Sequence, residues 1–234
     1  EDAVMKLVVC DTHDNLLFFT DKGKVYHLRG YDVPDTKKQA KGLPIVNLIE
    51  IENGDRVTAI LVVKDYSRDF ILLATREGEI KKTLLKEFEE VRRNGKIAMD
   101  LEPTDQLIAA RMAAESTQVI LVSSEGQAIV FKIDDLRQAS RTSGGVRGMK
   151  LAKGGYVVGV ETLDDGEQLL IISEKGFGKR TRLSEYPVQG RGGQGVKTLN
   201  TLANSVWGKA KIGLEYAATR SGPMSMAPSQ LGAF

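Results

Sequence analysis

The stretch "QGRGGQG", Gln189–Gly195, holds four glycines and one arginine in seven residues. A backbone this free of side chains lets an anion approach main-chain N–H groups closely. Arg191 adds a planar, permanently charged fork that matches phosphate geometry. The chemistry on offer is reception of a phosphate, with no bond made or broken. A solvent-exposed connection between strands would have the same composition, and the residues alone leave both readings open. No catalytic set accompanies the loop. Tyr186, in "LSEYPVQ", reads as a packing residue at a strand end. His13 and His27 are far apart in the repeat pattern and have no cysteine near them, so no metal site is suggested. No G-x-x-x-x-G-K-[ST] loop for ATP is present. The chain is expected to carry no catalytic residue and no cofactor of its own.

Cations recur elsewhere at comparable places. The connections contain Lys37, Lys38 and Lys41, then Arg92, Arg93 and Lys96, then Arg137, Arg141, Arg147 and Lys150, then Lys179, Arg180, Arg182, Arg191 and Lys197. Acids gather instead in "EIENGD", "DLEPTD" and "ETLDDGE". A net charge of +2 is too small to identify a partner; the alternation of basic and acidic loops is the informative feature. Contacts of this kind neutralise phosphates and read no base sequence.

The elements that position these loops are written as a repeat. Four apolar runs end in one punctuation: "NLLFFTDKG", "FILLATREG", "QVILVSSEG" and "QLLIISEKG". Each predicts a buried strand entering a tight turn, with Gly23, Gly78, Gly126 and Gly176 supplying positive φ. A second marker, glycine with leucine six positions on, follows as "GLPIVNL", "GKIAMDL", "GVRGMKL" and "GQGVKTL". It starts 19, 17, 19 and 17 residues after the turn glycine. Each unit opens with a β-like run ("AVMKLVVCDT", "RVTAILVVKD", "QLIAARMAAE", "YVVGVETLDD") and has a further run after the turn. "MAAE" and "LLKEFEEV" also fit helix. The reading is an all-β chain: a propeller-like array of about four four-stranded blades, with repeats at 4–51, 55–103, 105–153 and 156–200. One such blade cannot bury its own apolar face and needs its neighbours.

Composition sets the outer bounds. Hydrophobic residues make up 41% of 234, enough for a packed core. Cys10, the sole cysteine, sits in "LVVCDT" and is expected in the core. One thiol excludes a disulfide within the chain and fits a reducing, cytoplasmic setting. No run approaches the roughly 20 apolar residues of a membrane span, and no signal peptide is visible. The chain opens without methionine, as a fragment of a longer protein would.

Residues 1 to about 200, from "THDNLLFFTDKGKVYHLRGYDVPDTKKQAKGLPIVNLI" to "QGRGGQGVKTLN", closely resemble the C-terminal domain of the DNA gyrase A protein; the topoisomerase IV domain is the near relative. The resemblance implies a β-pinwheel, a disc of blades with strands exchanged between neighbours, that wraps duplex DNA on a basic rim and so enables negative supercoiling. It implies the gyrase B protein and the N-terminal part of the gyrase A protein as partners. ATP and Mg²⁺ would be used in other domains of a bacterial, nucleoid-associated enzyme, and the isolated domain would be a monomer. The family's glycine-rich box, Gln-Arg-Arg-Gly-Gly-Lys-Gly, would lie before residue 1. Gln189, Arg191, Gly192, Gly193 and Gly195 match it, while Gly190 and Gln194 depart from it, so the loop reads as the equivalent in a later blade. Other readings are the topoisomerase IV domain or a propeller-like scaffold for proteins. Residues 202–234, the atypical tail, lack both markers. Residues 206–216 are expected to pack on repeat four and residues 220–234 to be disordered.

Overall fold

The computed structural model describes residues 6–36, 42–67, 69–164, 166–173, 176–199 and 210–213. Among these the regular structure is β-strand and short 3₁₀ turns, and there is no α-helix. The first hairpin shows how the repeat folds. Strand β1 (Asn15–Thr20) is buried along its whole length, so its four inner residues, Leu16 to Phe19, are all apolar and do not alternate. It turns back into β2 (Lys24–Arg29) with Phe18 opposite Tyr26. The Gly23 amide donates to the Thr20 carbonyl (3.0 Å) and the Lys24 amide to the Thr20 hydroxyl (3.4 Å). The same pair of bonds recurs at Thr75, Ser123 and Ser173, which explains the hydroxyl residue ahead of each turn glycine. The four turn glycines have φ between +72° and +90°.

The remaining strands, in chain order, are β3 (Val57–Val63), β4 (Phe70–Thr75), β5 (Glu79–Leu84), β6 (Lys96–Ile97), β7 (Leu107–Ala113), β8 (Gln118–Ser123), β9 (Gln127–Lys132), β10 (Val146–Arg147), β11 (Val157–Thr162), β12 (Gln168–Ser173), β13 (Gly178–Arg182), β14 (Val196–Lys197) and β15 (Ala210–Gly213). They form antiparallel sheets ordered β3-β1-β2-β6, β10-β5-β4-β7, β11-β8-β9-β14 and β13-β12-β15. The first three sheets are each a hairpin from one repeat closed by strands from the next. β3 pairs with β1 and β6 with β2, although both belong to the second repeat. β15 pairs with β12, Ile212 opposite Ile171, in the place that β3, β7 and β11 take in the other sheets.

The chain divides into two compact units, residues 1–115 with 136–146, and residues 116–135 with 147–234. The core of the first gathers Leu17, Phe19, Ile71, Leu73, Phe88 and Leu107 between its two sheets. Phe19 and Phe88 meet edge to face at 5.9 Å. In the second unit Ile120, Val130, Leu169, Ile171, Tyr186 and Leu199 pack together.

Several expectations change. Residues 6–10 form no strand, and Cys10 is exposed rather than buried. β3 already fills the place beside β1, so the opening run has no hairpin to join; Leu7 and Val9 are exposed, and only Val8 reaches the core. "GLPIVNL" makes a 3₁₀ turn at Ile45–Asn47 in place of a strand. The helical alternative fails at both sites: Met112 and Ala113 end β7, and "LKEF" is a single 3₁₀ turn that buries Leu85 and Phe88. The second marker of the fourth copy is Gly195, not Gly193. Gly95, Gly145 and Gly195 are the residues that immediately precede β6, β10 and β14. The leucine six positions beyond Gly193 is a coincidence of spacing. Tyr186 is a packing residue, as expected, and its hydroxyl bonds the Thr198 hydroxyl.

Candidate nucleic-acid interface

The glycine-rich loop lies against the sheet that precedes it. The Gln189 amide donates to the Val130 carbonyl (2.8 Å), and Val188 bridges to Val130. The Gly192 amide donates to the Gly148 carbonyl (2.7 Å), and the Gly193 carbonyl accepts from the Lys150 amide (2.8 Å). Gly192 and Gly195 have φ of +83° and +75°. A Cβ on Gly195 would stand 2.2 Å from the Ala128 carbonyl oxygen. These glycines therefore allow main chain to lie on main chain, and the amides of Gln189 and Gly192 are used inside the protein. Arg191 is left exposed, its Nη1 donating to the Arg147 carbonyl and its Nε to the Asp135 carbonyl, both at 3.2 Å.

The third repeat places Arg141 at the same station. Ala139 donates to the Lys82 carbonyl (2.8 Å) as Gln189 does to that of Val130, and Gln138 bridges to Lys82 as Val188 does to Val130. The Arg141 guanidinium grips the carbonyl of Ile97, the second residue of β6; Arg191 grips that of Arg147, the second residue of β10. Two arginines one repeat apart are thus held by one device, each in its own unit. Beneath the Arg141 loop lies Lys81, 2% exposed, whose Nζ donates toward the carbonyls of Ala98 (2.8 Å), Arg141 (2.8 Å), Ser143 (2.9 Å) and Ser140 (3.2 Å). Burial pushes its ammonium down to about 8, Glu87 and Asp100 pulling it back up while Arg141 adds to the depression.

That value implies a pH dependence with a definite sign. Lys81 is charged in the unfolded chain up to its ordinary 10.5, so the cost of burying the charge is full below about 8 and lifts as pH rises toward 10.5. Stability of wild type relative to Lys81→Met is therefore expected to climb across that window. Urea midpoints of both proteins at several pH values measure it; parallel curves would contradict it.

The other nominated cations fall into three groups. Arg147, Lys150 and Arg191 come together around the fourth-repeat loop, and Lys197 is exposed on the adjacent strand β14. Lys179, Arg180 and Arg182 are exposed on β13, on the other sheet of the same unit, where Thr181 alone of the strand is buried. In the second repeat Arg92 and Arg93 are exposed and Lys96 is half-buried. Arg93 pairs with Asp32 at 2.9 Å and holds that carboxyl below the usual carboxylate range. Among the described residues it is the one nominated cation in an ion pair. Arg137 is exposed, and Lys37, Lys38 and Lys41 lie outside the described residues. Truncating Arg93 should scarcely alter affinity for a polyanion, because Asp32 already neutralises it; an effect equal to that of Arg191→Ala would show that the pair opens on binding.

The acidic loops are occupied locally. Glu52 pairs with Lys24, and the buried Asp105 accepts from the amides of Glu77 (2.9 Å) and Gln106 (2.7 Å). Lys81 was not legible as part of the site. Its only sequence signal is a charged residue at the third position after a turn glycine, where the other copies have Tyr26, Ile129 and Lys179.

Comparison with known proteins agrees with this architecture. The model of the DNA gyrase C-terminal domain, a β-propeller, matches residues 14–64, 69–113, 117–164 and 167–204. The DNA gyrase A protein of Staphylococcus epidermidis is 41% identical over 202 residues, and that of Staphylococcus aureus 40%, each covering 85% of this chain and 23% of the relative. The chain thus spans about a quarter of the length of the curated relatives it matches. Among solved structures, the C-terminal domain of DNA topoisomerase IV superposes with a TM-score of 0.75 at 24% identity, covering 87% of this chain and 64% of that one, which bears on the fold alone. A DNA gyrase A C-terminal domain gives 0.68 at 30% identity, with 80% and 60% covered. With four successive segments matched, each around one hairpin of the sheets described above, the chain belongs to the DNA gyrase C-terminal domain family.

Proposed function

We propose that this chain binds and wraps duplex DNA as the C-terminal part of a gyrase A protein, and that it has no chemistry of its own. The observation that carries the reading is the repeated station of Arg141 and Arg191, exposed or half-exposed guanidiniums fixed by equivalent carbonyls in successive repeats. Cations held at matching places in two successive repeats suit a polymer of repeating charge, and the unpaired Arg147, Lys150 and Lys197 beside Arg191 enlarge the contact there. Bending duplex over such a surface would favour deformable sequence over any fixed base pattern. In the assembled enzyme the wrap would feed negative supercoiling, with ATP and Mg²⁺ used by the gyrase B protein and the N-terminal part of the gyrase A protein, at the nucleoid of the bacterial cytoplasm. No helix among the described residues is long and apolar enough to cross a membrane.

The test is duplex binding of unrelated sequences across a salt series. With roughly 6–8 phosphates neutralised, log K should fall against log salt with a slope of about −5 to −7. A nicked circle ligated in the presence of the chain should show a shifted linking number. Binding that ignores salt, with no change in linking number, would refute the reading.

A further inference from the structure

The Arg141 and Arg191 loops are fastened to their sheets differently. In the fourth repeat the fastening is main chain: Gly192 turns to positive φ and its amide reaches the Gly148 carbonyl, while Gly193 lies over Ile129, with 3.5 Å between a Cβ built there and Ile129 Cδ1. In the third repeat Thr142 replaces that glycine, and among the described residues no residue other than glycine has a positive φ. The residue corresponding to Ile129 is Lys81, and the residue corresponding to Gly148 is Ala98, each of the latter directly following its two-residue strand. The Lys81 ammonium reaches the Ala98 carbonyl that a loop amide would otherwise seek, and also binds three carbonyls of the loop itself.

Building on the DNA-binding reading, we propose that Lys81 is a positioning residue: its ammonium ties the 140–143 loop to Ala98 and thereby sets the Arg141 guanidinium for duplex, taking the part that Gly192 plays for Arg191. One cation buried under four carbonyl oxygens satisfies acceptors that would otherwise be left bare as the loop closes over β5. A lysine suits the place because three N–H groups on a flexible stem can spread over several carbonyls, which an aliphatic side chain cannot do. The groups facing it are Glu87 from the turn after β5, Asp100 beyond β6 and Arg141 itself. The first two keep the ammonium in place against its burial. Glu87 also accepts from the Arg141 amide at 2.6 Å, so the turn and the lysine hold the same residue from two sides.

The experiment uses the whole 234-residue chain in three variants: Lys81→Ile, Arg141→Ala, and the two combined. Lys81→Ile should lower duplex affinity about two- to fivefold, as Arg141→Ala does, and the double variant should lose no more than either alone. Amide protection at Ala139, Arg141 and Asp100 should fall about tenfold while protection in β4 is kept. A fourth variant combines Lys81→Ile with Ser140→Gly, Thr142→Gly, Ser143→Gly and Gly144→Gln. It recreates the pairing of Ile129 with its own loop, and it should regain both affinity and protection. Unchanged protection in Lys81→Ile, additive losses with Arg141→Ala, or an exchange variant that fails to fold or to recover would each overturn the proposal. Protection judges Lys81 without DNA, so a chain that bound no duplex would refute the DNA reading while the loop measurement still decided whether Lys81 is the anchor.

Discussion

Gly195→Ala is expected to destabilise the second unit by about 2–4 kcal/mol. Two costs add. The residue is held at φ +75°, where an L side chain costs about 1–2 kcal/mol. The new Cβ would also stand 2.2 Å from the Ala128 carbonyl oxygen, 2.5 Å from its carbon and 2.9 Å from the Ile129 nitrogen, all main-chain atoms of β9. No rotamer change relieves such a contact, so either β14 or β9 must move, and their pairing of Val196 with Ala128 goes with it. Gly190→Ala is the control: it meets nothing within 4 Å and has no positive φ, so it should cost little. Thermal or urea unfolding of the two variants separates the accounts. Equal stability of both would mean that the loop does not lie on β9 as described.

Replacing Arg141, Arg147 and Arg191 together by alanine is expected to weaken duplex binding about 30- to 100-fold near physiological salt. The slope of log K against log salt should become shallower by about 2–3 units. Arg147 and Arg191 are exposed and Arg141 is half-buried, and none is in an ion pair among the described residues, so each can release counterions from a phosphate. Arg141 and Arg191 are also held in place before DNA arrives, and little side-chain entropy is left to lose on binding. Replacing Lys179, Arg180 and Arg182 together tests the β13 face in the same way. If the loop arginines and the β13 cations both leave affinity untouched, the interface lies elsewhere. A slope that stays the same while affinity falls would mean that the arginines act through folding and not through charge.

Most of the hairpin was legible because its signals are local. A buried run, a Thr or Ser, two residues and a glycine specify β1–β2 and its three successors, and the hydroxyl and the glycine each make a bond inside the turn they mark. The partners of those hairpins were not legible from the residues alone. Nothing in "RVTAILVVKD" says that β3 pairs with the preceding hairpin; that exchange was an implication of the family resemblance, and the sheet order bears it out. Cys10 was misplaced for this reason: its run is apolar enough for a strand, but β3 holds the place beside β1. Gly193 and Gly195 look alike in the sequence, and only the approach of Ala128 separates them. Lys81 was passed over because a lysine inside "EIKKTL" reads as a solvated face, and the carbonyls that receive it come from residues 98 and 140–143. The cationic connections were legible as charge, whereas the matched grips on Ile97 and Arg147 were visible only once the strands were placed.

The closing of the first three sheets by strands of the following repeat also fixes an order of events during synthesis. The β1–β2 hairpin is complete in sequence at Arg29, but its flanking strands are β3, ending at Val63, and β6, ending at Ile97. At about 5–20 residues per second, a ribosome takes several seconds to supply the last of these. Through that interval Leu17 and Phe19 have no lasting cover, since their neighbours in the core include Ala59, Phe88 and Ala98. The same wait recurs for the next two hairpins, displaced by one repeat each time. A nascent chain of this design always carries one unfinished sheet near the exit tunnel. A ribosome stalled within a repeat would expose the edge of the sheet before it, and that is where a chaperone that binds extended apolar segments would find its substrate.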